Sequence, residues 1–248
     1  MKTELEICAY SLESCLAAKE GGADRVELCA GMYDGGTTPS AATIRMAREI
    51  TGNMQLFVMI RPRGGDFLYS DLEYRQMRED ILFAKETGAD GVVLGILDRA
   101  GKVDKVRTAE LVRLALPMQV TFHRAFDMTD DYKEALEAII EAGCYRILTS
   151  GLRNTVMEGY DTLREIVRSA EGRIHIMAGS GVCAANAATI AALGVNALHM
   201  SGKSSRDSKM SFRNPAVFMG GVPGIPEYDI AYSDVEKIRN VKSILQNF

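Results

Sequence analysis

Gly22-Ala-Asp-Arg-Val-Glu-Leu28, Gly88-Ala-Asp-Gly-Val-Val-Leu94, Gly143-Cys-Tyr-Arg-Ile-Leu-Thr149 and Gly194-Val-Asn-Ala-Leu-His-Met200 are four copies of one local pattern. In each, a helical run stops at a glycine, which alone adopts the left-handed helix cap cheaply, and a short apolar strand follows at once. The copies lie 66, 55 and 51 residues apart, too far for one βα unit and right for two. The intervening strands are Gln55-Leu-Phe-Val-Met-Ile60, Gln119-Val-Thr-Phe-His123 and Arg173-Ile-His-Ile-Met177, with Leu5-Glu-Ile-Cys8 opening the chain. Four βαβα repeats make eight parallel strands, so the expected fold class is α/β, a single (β/α)8 TIM-like barrel over residues 1–248. A doubly wound open sheet is the alternative, and the even spacing of eight units favours closure. Helix starts are expected at Thr38-Pro39, with Thr38 as cap and Pro39 as first helical residue, and after Ser70 and Asp131. The stretch from about 203 to 234, containing Asn214-Pro215 and Gly220-Gly-Val-Pro-Gly-Ile-Pro226, is long for one connection. It reads as a lid, a subunit contact or a disordered insert. Val235 to Leu245 then forms the last helix.

Composition narrows the function classes. A chain of 248 residues buries roughly three-quarters of its unfolded surface and needs no covalent staple. The net charge of −4, from 29 basic and 33 acidic residues, supplies no basic field for a nucleic-acid backbone, so no nucleic-acid partner is expected. The first residues, Met1-Lys2-Thr3-Glu4, carry an acid where a secretory leader needs an apolar run, and no membrane span is expected. Five cysteines (Cys8, Cys15, Cys29, Cys144, Cys183) at wide spacings suit a reducing compartment, which points to a cytoplasmic location.

Strand alternation sorts the side chains. Leu5/Ile7, Val26/Leu28, Val58/Ile60, Val120/Phe122 and Ile174/Ile176 should face the helices. Glu6/Cys8, Glu27/Cys29, Arg61, Thr121/His123, His175/Met177 and His199/Ser201 should then point into the barrel. Barrel interiors are normally filled with branched apolar residues, and this one is polar. Buried charge without purpose is costly, so the pattern argues for a site at the strand ends.

Several of these strand ends carry long, distinctive motifs: Arg61-Pro-Arg-Gly-Gly-Asp-Phe67, Thr121-Phe-His-Arg-Ala-Phe-Asp127, Ile147-Leu-Thr-Ser-Gly151 and Met177-Ala-Gly-Ser-Gly-Val182, beside Gly35-Gly-Thr-Thr-Pro-Ser40. Along nearly its whole length the sequence resembles the CutC family, named for copper homeostasis. The resemblance implies a TIM-like barrel, a cytoplasmic location, a homo-oligomer (dimer or tetramer) and a role in copper handling.

The residues themselves offer three constellations. Cys8 and Cys29 end the first two strands, which are neighbours, and in matched register two thiolates could share a soft Cu(I) ion, with His or Met nearby. The plainer reading is that both are small buried fillers. Arg61 and Arg63 flank a proline and precede two glycines at the barrel mouth, where two guanidiniums could hold a carboxylate or phosphate. Gly179 and Gly181 after strand seven, with Gly202 after strand eight, lie where this fold commonly cradles phosphate. Otherwise the arginines are ion-paired to Glu6, Glu27 or Asp66, and the glycines are only tight turns. Glu27 and His123 face each other across the barrel as a candidate acid/base pair titrating near neutrality. His175 and His199 read as interior packing. Asp66, Asp98 and Asp127 could add hard-metal ligands, but no spacing identifies the ion.

No lysine lies in an expected barrel strand, so a Schiff-base aldolase lacks its nucleophile, and the dinucleotide fingerprint is absent after strand one. Two functions remain. One is Cu(I) binding through Cys8 and Cys29. The other is acid/base enzymology on a small phosphorylated or carboxylated metabolite, with Arg61, Arg63, Gly179, Gly181 and Gly202 holding the anion and Glu27 and His123 moving protons.

Overall fold

The signature glycines do what their position requires. Gly22, Gly88, Gly143 and Gly194 take φ of 78°, 78°, 88° and 85°, reversing the chain from helix into strand. The third residue of the signature has a second task. Asp24 accepts a hydrogen bond from the Leu5 amide (2.8 Å) while its own amide donates to the Leu5 carbonyl (3.0 Å). Asp90 does the same to Leu56, and Asn196 to Ile176. Each pair fixes the start of one strand against the end of the next helix. This reciprocal bond sets the strand register.

The computed structural model describes residues 2–217, 219, 225–246 and 248. Its strands and helices alternate from the start: β1 (Glu4–Ala9), α1 (Leu12–Glu20), β2 (Arg25–Leu28), α2 (Ala41–Thr51), β3 (Gln55–Met59), α3 (Asp71–Glu86), β4 (Gly91–Leu94) and α4 (Lys105–Ala115). The second half repeats the order: β5 (Gln119–Phe122), α5 (Tyr132–Ala142), β6 (Arg146–Thr149), α6 (Tyr160–Ala170), β7 (His175–Ala178), α7 (Ala187–Ala191) and β8 (Ala197–Met200). Strands β1 to β8 are parallel neighbours in sequence order, and β8 pairs back onto β1 through Leu5↔Leu198 and Glu6↔His199. The fold is a closed (β/α)8 barrel, as expected, and not an open sheet.

The long stretch after β8 is not one loop. Lys203–Asp207 (β9) and Asp229–Ser233 (β10) form an antiparallel ladder outside the barrel, and α8 (Val235–Leu245) follows. Of the turn-rich segment 220–226, residues 220–224 lie outside the described residues. Among the described helices none is long and apolar enough to cross a membrane.

Ser70 and Asp131 cap α3 and α5 as their positions suggest. The start of α2 differs. Ser40 is the cap, accepting from the Thr43 amide, and the helix begins at Ala41. Thr38 is engaged elsewhere: its amide donates to the Arg61 carbonyl and its hydroxyl accepts from the Arg61 amide. That bridge ties the β2–α2 loop to the end of β3.

Alternation holds along the strands. Leu5, Ile7, Val26, Leu28, Val58, Ile60, Val120, Phe122, Ile174 and Ile176 all join the core between barrel and helices. Inside the barrel a smaller cluster of Cys8, Cys29, Phe57, Met59 and Val93 stands apart from it. Below that cluster the interior is ionic. Arg25 is fully buried and binds Glu6, Glu4 (2.9 Å) and Gln55 (3.0 Å), with its guanidinium 5.0 Å from the Phe57 ring centre. Arg146, also buried, reaches Glu4 at 3.2 Å. These ions close the lower end of the barrel and support the residues above them.

Candidate functional site

Three adjacent strand ends converge at the mouth. Cys8 on β1 is register partner to Glu27 on β2, and Glu6, one inward step below Cys8, is partner to His199 on β8. One donor atom from each of Cys8, Glu27 and His199 lies within 4.8 Å of the other two. Cys29, just past β2, sets its Sγ 3.8 Å from that of Cys8 and 3.4 Å from the Glu27 carboxylate. His199 points its Nδ1 at Glu6 (2.8 Å), so its Nε2 is turned toward Glu27, 3.8 Å away. Glu6 is itself held by Arg25. A histidine whose far nitrogen is fixed by a carboxylate presents the near one as a ligand, the usual support for a metal-binding imidazole.

The electrostatics of the four groups are interlocked. A hydrogen bond from the Cys29 thiol, together with one from His199, holds the Cys8 thiol well below the ordinary range although burial opposes it. Burial, then the neighbouring Cys8 charge, pushes Glu27 well up, and burial with the Cys8 contact does the same to Cys29. His199 is held well above a normal imidazole: burial resists its charge, but Glu27, Cys8 and Glu6 outweigh it. Glu6 falls to about 2, because Arg25 and His199 overcome its desolvation. Elsewhere burial alone raises Cys15 and Cys144 to about 12, so they are inert thiols, while Cys183 is exposed. Of the four buried cysteines, Cys8 alone is held toward the thiolate.

Above this group opens a cavity of about 430 Å³, within the size range of small-molecule sites. Cys8, Tyr10, Glu27, Met59, Met200 and His199 line one part of it; Arg61, Phe67, His123, Arg124, Gly181 and Lys203 line another. Arg61 is buried, and its terminal nitrogens donate to the carbonyls of Asp34 (2.6 Å), Gly36 (2.9 Å) and Gly65 (2.8 Å), bracing two loops. It pairs with none of the carboxylates considered for it, and its Nε has no partner among the described residues. Arg63 turns away from the cavity and pairs with Glu73 (2.6 Å) and Asp66 (2.9 Å). Gly181 takes φ of 83° at the cavity wall. Gly179 is a close-approach position, where an added Cβ would stand 2.7 Å from Leu148 and 3.3 Å from His199. Gly202 turns the chain behind Met200 and is not part of the wall.

His123 is buried above Phe67, with ring centres 4.9 Å apart. Its Nδ1 accepts from the Ala125 amide (3.2 Å), and its Nε2 has no partner among the described residues. Burial and the nearby Arg61 charge take it down to about 3, so it is a neutral imidazole and does not titrate near neutrality. The three aspartates weighed as hard-metal ligands are each used in their own loops. Asp127 receives Arg124, Thr149 and Ser150, Asp98 caps a turn through the amides of Ala100 and Lys102, and Asp66 pairs with Arg63.

The sequence model of the CutC family matches residues 3–204. The chain belongs to the CutC family. A family protein CutC of Bacteroides thetaiotaomicron is 48% identical over 96% of this chain and 96% of its own length. A human relative, named copper homeostasis protein cutC homolog, is 43% identical over 98% of this chain and 89% of its own. The crystal structure of the putative copper homeostasis protein CutC from Streptococcus agalactiae superposes with a TM-score of 0.76 at 36% identity, covering 81% of this chain and 99% of that one. A thiamine phosphate pyrophosphorylase from Pyrococcus furiosus, at 17% identity and a TM-score of 0.60, shares the fold.

Against this CutC barrel the reading of the sequence missed one central residue and two supporting ones. His199 was assigned to packing, yet it stands between Glu6, Glu27 and Cys8. Its alternation pointed inward; what it lacked was a partner, because β8 meets β1 only on closure. His175 does pack, 4.4 Å from the Tyr145 ring. Arg25 and Arg146 share the inward phase of Glu27 and Leu148, a signal present in the alternation and obscured by the habit of placing arginine outside.

Proposed function

We propose that this chain takes part in copper homeostasis by binding Cu(I) between Cys8 and Cys29 at the barrel mouth, with His199 as the adjoining nitrogen donor. The carrying observation is the Cys8–Cys29 Sγ separation of 3.8 Å. Two metal–sulfur bonds of about 2.3 Å at a trigonal angle put their sulfurs about 4.0 Å apart, and a linear pair about 4.6 Å. The spacing therefore suits a bent pair with a third ligand, and the third position faces His199 and the cavity. Thiolate and imidazole are the ligands that soft Cu(I) prefers. A depressed Cys8 thiol supports binding at neutral pH, while Cys29 and His199, both held protonated, give up their protons as the metal binds. The copper-homeostasis name of the human relative supports the same reading.

The test is a Cu(I) competition titration of reduced protein against a chromogenic chelator, with wild type beside a Cys8→Ser/Cys29→Ser double variant. One equivalent bound tightly by wild type and lost in the variant is the expected result. Binding unchanged by the substitutions sinks the site.

The unpartnered Glu27 Oε1, Arg61 Nε and His123 Nε2 favour a second reading, acid/base turnover of a small phosphorylated or carboxylated metabolite in the same cavity. There Glu27, kept protonated by burial, serves as the acid, and neutral His123 as a hydrogen-bonding partner. Turnover abolished by Glu27→Gln with the copper titration unchanged would favour it over the first.

A further inference from the structure

Two cations meet the mouth cavity, neither of them paired to a carboxylate among the described residues. Among the described residues Arg61 is hydrogen-bonded to backbone carbonyls, and its buried Nε has no partner there. Lys203 makes no ion pair among the described residues and stands 5.8 Å from the Tyr33 ring centre. Arg124, close by, is already paired to Asp127. His123 adds a second buried, unpartnered nitrogen to the same wall. The buried donors of Arg61 and His123 are costly unless a ligand or water meets them, and the exposed Lys203 adds its charge at the rim. Cys8 and His199 line the same cavity, and a metal bent between the Cys8 and Cys29 sulfurs has its third position on that side, where His199 and a sulfur from the cavity can exchange.

A soft ion passes between soft ligands, so its carrier is itself a thiol. The cations select an acidic one. We propose that the cavity receives a small thiol bearing one or more carboxylates, the carboxylates turned to Arg61 and Lys203 and the sulfur beside Cys8, as the ligand that delivers Cu(I) to the cysteine pair and removes it. The inference rests on the copper reading above. The step is ligand exchange without redox change: two bonds from Cu(I) to carrier sulfurs break as two to Cys8 and Cys29 form. Cys8 enters as the thiolate, the protons given up by Cys29 and His199 leave on the two departing sulfurs, and the metal remains Cu(I).

Calorimetry on the full chain, kept reduced with a phosphine, tests this with three probes: glutathione, S-methylglutathione and cysteamine. Both tripeptides are expected to bind metal-free protein. Loading with Cu(I) should tighten glutathione at least tenfold over its S-methyl form, and cysteamine, a thiol without carboxylate, should give no saturable heat. Arg61→Met should weaken both tripeptides at least tenfold. Because Arg61 also braces two loops, Lys203→Glu at an exposed side chain provides the second variant and should have the same direction. Cysteamine binding as tightly as glutathione overturns the proposal, as does tripeptide binding indifferent to Lys203→Glu. Cu(I) held by the cysteine pair with no tripeptide binding overturns this inference and leaves the copper site standing. S-methylglutathione binding in a protein that takes up no Cu(I) overturns both the carrier role and the copper reading, leaving an anion site.

Discussion

His123 shows how one buried side chain couples the site to pH. Its imidazole is held neutral to about 3, whereas in the unfolded chain it protonates near 6.5. Between those values the unfolded state binds the extra proton, so stability falls as pH falls, by up to about 1.4 kcal/mol per pH unit. His123→Asn keeps an acceptor for the Ala125 amide and removes the proton. Urea unfolding at pH 7 and pH 5 should show wild type losing about 2 kcal/mol more than the variant. Equal losses would mean that His123 is not desolvated as described. Glu6, lowered to about 2, acts in the same direction but only below about 4.5, outside that window. At this scale the sequence was legible where chemistry is local. Cys8, Cys29, Glu27, Arg61 and His123 follow from alternation alone and all lie at the mouth. Protonation was not legible, because it depends on burial and on Arg61, which approaches His123 from another strand. Arg63 was not legible either: it is two residues from Arg61 and points to α3, as the turn through Gly64 and Gly65 dictates.

Among the elements, β4 is the slender one, and the site depends on that. A Cβ at Gly91 would stand 2.5 Å from the Phe57 ring, and one at Gly95, just beyond the strand, 2.6 Å from two atoms of the His123 ring. Neither contact is tolerable, so these glycines make room for the two rings that fill the barrel beside the cysteines. Gly95→Ala is therefore expected to destabilise the fold by about 1–3 kcal/mol as an overpacked interior, read as a lower urea midpoint at unchanged slope. An unchanged midpoint would show that His123 has space to yield. The sequence marked strands and helices well because periodicity and signature glycines are local. It misplaced the start of α2 because Thr38 is a good cap by type but is drawn into a bridge with Arg61, a contact 23 residues away in the chain. The register bonds of Asp24, Asp90 and Asn196 were present in the repeat itself, written as the polar third residue of Gly-Ala-Asp and Gly-Val-Asn.

The whole barrel is closed by contacts between its two ends in sequence, and this separates the stretch after residue 204 into two parts of different weight. The family model ends at 204, and the S. agalactiae chain matches only 81% of this one. Yet α8 is integral: Ile238, Val241 and Leu245 are fully buried, and Lys242 pairs with Asp24, the residue that registers β1. Each of those apolar side chains contributes about 1.5–3 kcal/mol by burial, so truncation after β9 should leave a chain that unfolds well below physiological temperature or does not accumulate. The described residues of the arm between β9 and β10 bind mainly one another, as in Arg213 with Asp207 and Asn214 with Tyr228. They leave Met210 and Phe212 exposed. Asp207 and Asp229 are cross-strand partners at its base, where a two-residue turn can join them. Replacing residues 208–228 by Asn-Gly should therefore shift the melting temperature by less than about 2 °C, the effect of an exposed change worth under about 0.5 kcal/mol. The Cu(I) titration should be unchanged, since Cys8, Cys29 and His199 belong to the barrel. A large loss of stability, or of metal binding, would instead make the arm part of the mouth it leaves from at Lys203.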